Sequence, residues 1–182
     1  MIEVQSFALV PHPDHPPANV HGVDVRWFEP GDGTVILRWQ IKNVEALRLP
    51  PFAGKGRADE LWRTTCCELF LKDETGGGYA EFNFSPSGRW AAYRFSDYRE
   101  GMAEADAAIQ PEVTANGGEY LFVLTAVLDL ALLAGCGGAG LSAVIEEQDG
   151  TLSYWALAHP PGRPDFHHPA CFTMPLAAAE ER

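Results

Sequence analysis

Between Asp59 and Met102 the chain reads DELWRTTCCELFLKDETGGGYAEFNFSPSGRWAAYRFSDYREGM, three alternating segments separated by two reversals. In an extended strand successive side chains point to opposite faces, so an alternating run declares which face is buried. Over Cys66–Lys72, Cys67, Leu69 and Leu71 fall on one side, with Cys66, Glu68, Phe70 and Lys72 on the other. Gly76-Gly77-Gly78 supplies a reversal. Tyr79–Ser85 then repeats the pattern, with Ala80, Phe82 and Phe84 opposed by Tyr79, Glu81 and Asn83. Ser85-Pro86-Ser87-Gly88 is a second turn, Pro86 fixing φ and Gly88 tolerating φ > 0, and Arg89–Phe95 is the third strand. The pattern predicts a β-meander with one face built for burial. The opposite face interleaves Glu68, Glu81 and Asn83 with Cys66, Phe70 and Tyr79. Two readings of it stand open: a polar binding surface, or an ordinary half-wet sheet.

The rest of the chain extends the same architecture. Ile2–Val10 has an edge-strand pattern and stops at the prolines from Pro11 to Pro17. Val20–Phe28 and Thr34–Lys42 form a predicted hairpin across Gly31-Asp32-Gly33, and Asn43–Leu49 reads as a further short strand. Glu100–Ala108 is Ala-rich and acidic, a short helix or a wide loop. Val113-Thr114 begins a strand, Tyr120–Val127 is another, and Asp129–Leu133 reads as one helical turn ending at Gly135. Gly140–Glu147 and Leu152–Leu157 pair across Asp149-Gly150, and Cys171–Leu176 closes the sheet after the Pro-rich HPPGRPDFHHPA loop. About ten short strands joined by turn signals predict an all-β fold, a two-sheet antiparallel β-sandwich with little helix. A chain of 182 residues fits one domain, taken as 1–176, with a loose tail at 177–182.

Composition narrows the partners. A net charge of -12 argues against nucleic acid and anionic membranes, both of which reward clustered Lys and Arg. The amino terminus shows no charged segment followed by an apolar core of signal-peptide type, and the longest apolar run, Leu121–Ala134, is broken by Thr125 and Asp129. The expected setting is the cytoplasm. Cys66, Cys67, Cys136 and Cys171 show no ligand spacing and are expected to be reduced, structural thiols.

The catalytic patterns sought are missing. The six histidines lack zinc-type spacing, no G-x-S-x-G elbow occurs, and the glycine runs lack the Lys-Ser/Thr and strand-to-helix context of a phosphate loop. Glu68 with Glu81 offers a carboxylate pair for glycoside hydrolysis, opposed by the simpler reading that each pairs with Arg89 or Arg94 or is solvated. Recognition uses the remaining residue types best. An aromatic ring stacks on the apolar face of a sugar while carboxylate, amide and guanidinium groups bond its hydroxyls. Trp62, Glu68, Asn83 and Arg89 supply that set, and Phe166, beside Arg163, is the candidate for a second ring. Trp62 is then either presented at a binding surface or packed under its loop. A protein-docking module is the third class.

LW-x5-ELFL at Leu61–Leu71, YAEFNFSPSG at Tyr79–Gly88 and the following Arg89-Trp90 resemble the DOMON superfamily and its relatives, the family 9 carbohydrate-binding modules. SYWALAHPPGRPDFHHP looks like the final segment of a DOMON-like group found in bacterial proteins. The resemblance implies a β-sandwich with a ligand site on one sheet, binding sugars in some members and haem in others. Carried over residue by residue, it implies stacking by Trp62, hydroxyl bonding by Glu68 and a role for Arg89 opening the third strand. The second aromatic departs from the pattern, since Phe166 stands where a Trp fits better. A haem site implies axial Met and His, for which Met102 and His159 or His167 are available. Structural calcium occurs in some relatives, but no Asp-rich loop marks it here.

Overall fold

The structure, a computed structural model, describes residues 4–106 and 108–176. Thirteen strands follow in chain order: β1 (Val4–Pro11), β2 (Gly22–Phe28), β3 (Thr34–Lys42), β4 (Gly56–Arg57), β5 (Cys66–Asp73), β6 (Tyr79–Phe84), β7 (Arg89–Phe95), β8 (Ala103–Glu104), β9 (Glu112–Gly117), β10 (Leu121–Asp129), β11 (Cys136–Glu146), β12 (Leu152–Ala156) and β13 (Met174–Pro175). The helical content among the described residues is four short 3-10 turns, none long and apolar enough to cross a membrane. The predicted tail at 177–182 lies outside the described residues.

The all-β expectation holds, but the strands form one continuous hydrogen-bonded path, β4-β7-β6-β5-β11-β12-β1-β2-β3-β10-β9, curled so that its two halves face each other. The joint is β1. Val4 to Leu9 pair with β2, while Val10 and Pro11 pair with β12. The expected edge strand is therefore central. Pro11 itself still pairs with Trp155, and the prolines after it do not say which neighbours the strand has.

Alternation explains the interior. Val23, Val25 and Trp27 from β2, Val35, Leu37, Trp39 and Ile41 from β3, and Cys67, Leu69, Leu71, Phe82 and Phe84 from β5 and β6 enter one buried cluster. Trp39 ties the halves together: its indole N–H donates to the Ser142 carbonyl at 3.1 Å, and its ring lies 5.7 Å from that of Phe84. Truncating a core Trp of this kind costs about 3–5 kcal/mol.

One local expectation changes. Asn43–Leu49 is not a strand: Asn43 adopts φ 74°, a left-handed conformation Asn tolerates, and Val44–Ala46 forms a 3-10 turn. The acidic Glu100–Ala108 segment, read as a short helix or a wide loop, is mostly loop over its described residues and adds the two-residue β8, paired to β7. The Asp129–Leu133 turn forms as read, with the Asp129 carboxylate accepting from the Ala131 N–H at 2.8 Å.

Candidate functional site

The outer face of the meander is not half-wet. Glu68, Phe70, Tyr79, Glu81 and Asn83 are all buried. Their cover comes from the far end of the chain, where the late loop lays His167 and Phe172 over the sheet. The Phe70 and Phe172 ring centroids are 5.6 Å apart, and His167 sits edge-on to Phe70 and Phe95 at 5.2 Å each. Gly140 admits this lid, since a Cβ there would lie 2.7 Å from Cδ1 of Phe172.

Beside the lid the sheet opens into a cavity of about 1040 Å³. Glu68 and Glu81 form part of its lining from the sheet, and Tyr93, Tyr154 and Phe166 contribute aromatic surface. Trp62 reaches the lining from a 3-10 turn, Leu61–Arg63, entered through Glu60 at φ 58°. Half of Trp62 is exposed, and the Arg63 guanidinium sits 5.4 Å from its ring centroid. Trp62 is thus presented, not packed under the loop.

Glu68 is 3% exposed, and its hydrogen bond, from the Ser142 hydroxyl, is a long 3.4 Å. Burial, then the neighbouring Glu81 charge, pushes its carboxyl well above the usual range against the small pull of Ser142. Glu81 is raised by burial too, opposed by the Asn83 amide, which donates at 2.9 Å, and by the Arg99 charge. The Asn83 carbonyl oxygen is buried without a partner. Tyr93 donates its hydroxyl to Asp59, and burial followed by that bond raises its pKa.

The mouth is held by a network on Asp165. Arg99 donates to it at 2.6 Å and the Tyr98 hydroxyl donates to it as well. Although burial works against its charge, these donors hold the Asp165 carboxyl below the usual range. His167 follows two residues later. Burial, then the Arg99 charge, lowers its pKa to about 4, so the ring is neutral near pH 7. The Tyr79 oxygen accepts from the Arg99 N–H at 3.1 Å and lies 2.8 Å from His167 Nδ1. A phenol that donates to Nδ1 leaves the imidazole proton on Nε2, 3.7 Å from Glu81 Oε2.

Of the residues singled out by sequence, Trp62, Glu68, Glu81 and Phe166 line this one cavity, together with Met102 and His167, the available haem ligands. Asn83 stands behind it, bonded to Glu81. Arg89 does not join them. It opens β7 beside β4, and its guanidinium donates to the Ala53 carbonyl at 2.7 Å and the Lys55 carbonyl at 3.4 Å, so it does not neutralise Glu68. Arg94 instead pairs with Asp73 at 2.7 Å. Arg163 lines an adjoining hollow of about 770 Å³ with His15, Tyr98 and His168. Sequence reasoning passed over Asp59, Tyr93, Arg99 and Asp165, and singled out His167 only as an available haem ligand. Tyr93 was available by alternation, two residues from Ala91 and Phe95 on the same face; Arg99, at φ 55° in a turn, carried no such signal.

The residues do not fit a haem. His167 commits Nδ1 to Tyr79 and turns Nε2 toward Glu81, while His159 Nε2 is 2.8 Å from the Val10 carbonyl and Met102 is 59% exposed. Among the described residues no group of three or more His, Cys, Asp or Glu is placed to hold a metal ion.

No protein family matches the chain, and no curated protein matches it in sequence. Among solved structures, the crystal structure of a Bacteroides uniformis protein described as a "putative carbohydrate-binding protein" is similar, with a TM-score of 0.62 at 20% identity over 94% of this chain and 84% of that one. At that identity the likeness is one of fold, and the fold shared is the curled all-β sheet that carries the cavity.

Proposed function

We propose that this chain is a non-catalytic binding domain, a DOMON-like relative of the family 9 carbohydrate-binding modules, whose curled sheet serves as the two layers of their sandwich. Its ligand is a saccharide or similar polyhydroxylated small molecule, and its setting is the cytoplasm. The observation that carries this reading is one cavity combining a half-exposed indole at Trp62 with buried carboxyls at Glu68 and Glu81. A ring and hydrogen-bonding groups on adjacent walls are what a sugar's apolar face and hydroxyls need. The description of the Bacteroides uniformis protein supports the ligand class.

Hydrolysis is less well served. A glycosidase pair needs one neutral and one ionised carboxyl, set apart by their surroundings, whereas burial drives both Glu68 and Glu81 upward. A docking module would present an apolar patch, and the surface here is concave with an acidic lining.

A thermal-shift screen against mono- and disaccharides identifies a binder, because a ligand that favours the folded state raises the unfolding temperature. Trp62→Ala should then weaken that sugar by ~1–3 kcal/mol, with base stacking on aromatic side chains as the guide. Equal affinity in variant and wild type removes Trp62 from the site.

A further inference from the structure

Of the acids on the cavity lining, Glu68 and Glu81 are the buried pair, and among the described residues neither is ion-paired to a lysine or arginine. Two arginines line the cavity, and each is engaged: Arg63 by Glu60 and Arg99 by Asp165, both at 2.6 Å. Glu68 receives a single long hydrogen bond from Ser142, although its side chain is almost wholly buried and reaches the cavity wall. Glu81 has the Asn83 amide and, at 3.7 Å, the edge of a neutral imidazole. Around this pair stand Trp62, Tyr93, Phe95, Tyr154 and Phe166. Aromatic faces attract a cation through their quadrupole, most strongly where water is excluded, and a carboxylate beneath them completes the complement of an ammonium group. A neutral hydroxyl brings no charge to offset the ionised form of either acid.

We propose that the cavity selects a ligand bearing a protonated amino group, which sits against Glu68 and Glu81, its carbon skeleton lying toward Trp62. Resting on the saccharide reading, the inference makes the ligand an amino sugar. Binding is proton-linked. The groups facing the acid pair are Cys66 from β5, Tyr79 and Asn83 from β6, Tyr93 with Asp59 at β7, Ser142 from β11, Arg99 after β7, and Asp165 and His167 from the late loop. Within this setting the carboxyls favour their protonated form, so an arriving ammonium displaces a proton to solvent and affinity rises with pH until the amine itself deprotonates.

The test is calorimetric titration of the full chain with D-glucosamine, D-galactosamine and the β-1,4-linked glucosamine disaccharide against D-glucose, D-galactose and cellobiose, with spermidine as an amine that is not a sugar. It is run in two buffers of different ionisation enthalpy. The expected result is an amino sugar bound at least tenfold more tightly than its neutral counterpart, with proton release, and loss of that preference in both Glu68→Gln and Glu81→Gln. Equal affinity for the two members of each pair, or a preference that survives both substitutions, overturns this inference and leaves the saccharide reading in place. Binding of spermidine alone keeps the amine and ends the saccharide. No binding by any compound at millimolar concentration ends both. Circular dichroism of each variant separates lost binding from lost fold.

Discussion

His167 gives the reasoning a quantitative test independent of any ligand. Its ring is packed among Phe70, Tyr79 and Phe95, its side chain is 18% exposed, and its pKa falls from 6.5 to about 4. Above pH 6.5 the imidazole is neutral in both folded and unfolded chains and contributes nothing to the pH dependence. As pH falls from 6.5 toward 4 the unfolded chain takes up a proton that the folded chain refuses, so stability is lost across that window. At 1.36 kcal/mol per pH unit, a window of about 2.5 amounts to about 3 kcal/mol. His167→Gln stays neutral throughout and retains an acceptor for the Tyr79 hydroxyl. Urea unfolding followed by Trp fluorescence, from pH 7 down to about pH 4, should therefore show the wild type losing about 3 kcal/mol more than the variant. Carboxylates elsewhere titrate in both proteins and largely cancel in the difference. Parallel profiles would refute the reasoning: they would mean that the native imidazole accepts the proton and pairs with Glu81 across the 3.7 Å gap.

Other perturbations follow from the same geometry. The Glu68 carboxyl moves in the opposite direction, so its cost to stability appears as pH rises above the ordinary Glu range; Glu68→Gln should gain on wild type between pH 4 and pH 8, by ~1.4 kcal/mol for each pH unit over which the native acid stays protonated and the unfolded one does not, and a constant gap in urea midpoints across that range rejects it. Gly140→Ala places a Cβ against Phe172 and should destabilise by ~1–3 kcal/mol, with faster amide exchange at His168 and Cys171; unchanged exchange there means that the lid rests on other contacts. Arg89→Ala frees the Ala53 and Lys55 carbonyls, at about 1 kcal/mol or less for exposed bonds, and should speed proteolysis at 53–57 while leaving ligand affinity unchanged; a tenfold loss of affinity would return Arg89 to the site.

What could be read from the sequence was set by distance along the chain. Alternation within β5, β6 and β7 declares a buried face because each strand carries its own period, and Leu69, Phe82 and Phe84 lie in the interior as that period requires. Alternation is silent about what covers the second face. Phe70 and Tyr79 are buried under Phe172, roughly a hundred residues further on, and no local pattern announces that contact. The same limit applies to β1, whose sequence shows a strand but whose two partners lie in opposite halves of the sheet. Trp62, Glu68, Glu81 and Phe166 were legible as residue types. Arg89 was misassigned because its place after the SPSG turn fixes its strand position but not the direction of a long, flexible side chain.

The cover also changes the chemistry of what it covers. On an open sheet Glu68 and Glu81 would be two solvated carboxylates, and the chain's overall charge of -12 would extend into the cavity. The aromatic late loop dries the neighbouring face, and burial then favours the neutral forms of Glu68, Glu81 and His167 alike, raising the acids and lowering the imidazole. Uncharged protein thus lies over the centre of the site, while charge persists at its mouth, where Arg99 and Asp165 satisfy one another. Burial biases both acids toward the protonated form, and among the described residues neither is ion-paired to a lysine or arginine. A ligand that brings a positive charge favours the ionised form and displaces a proton on arrival, whereas one that brings only hydroxyls must share the protons already there. The late loop, through His167 beside Glu81 and Phe166 beside Tyr154, is accordingly the segment whose docking sets both the depth of the cavity and the ionisation of its lining.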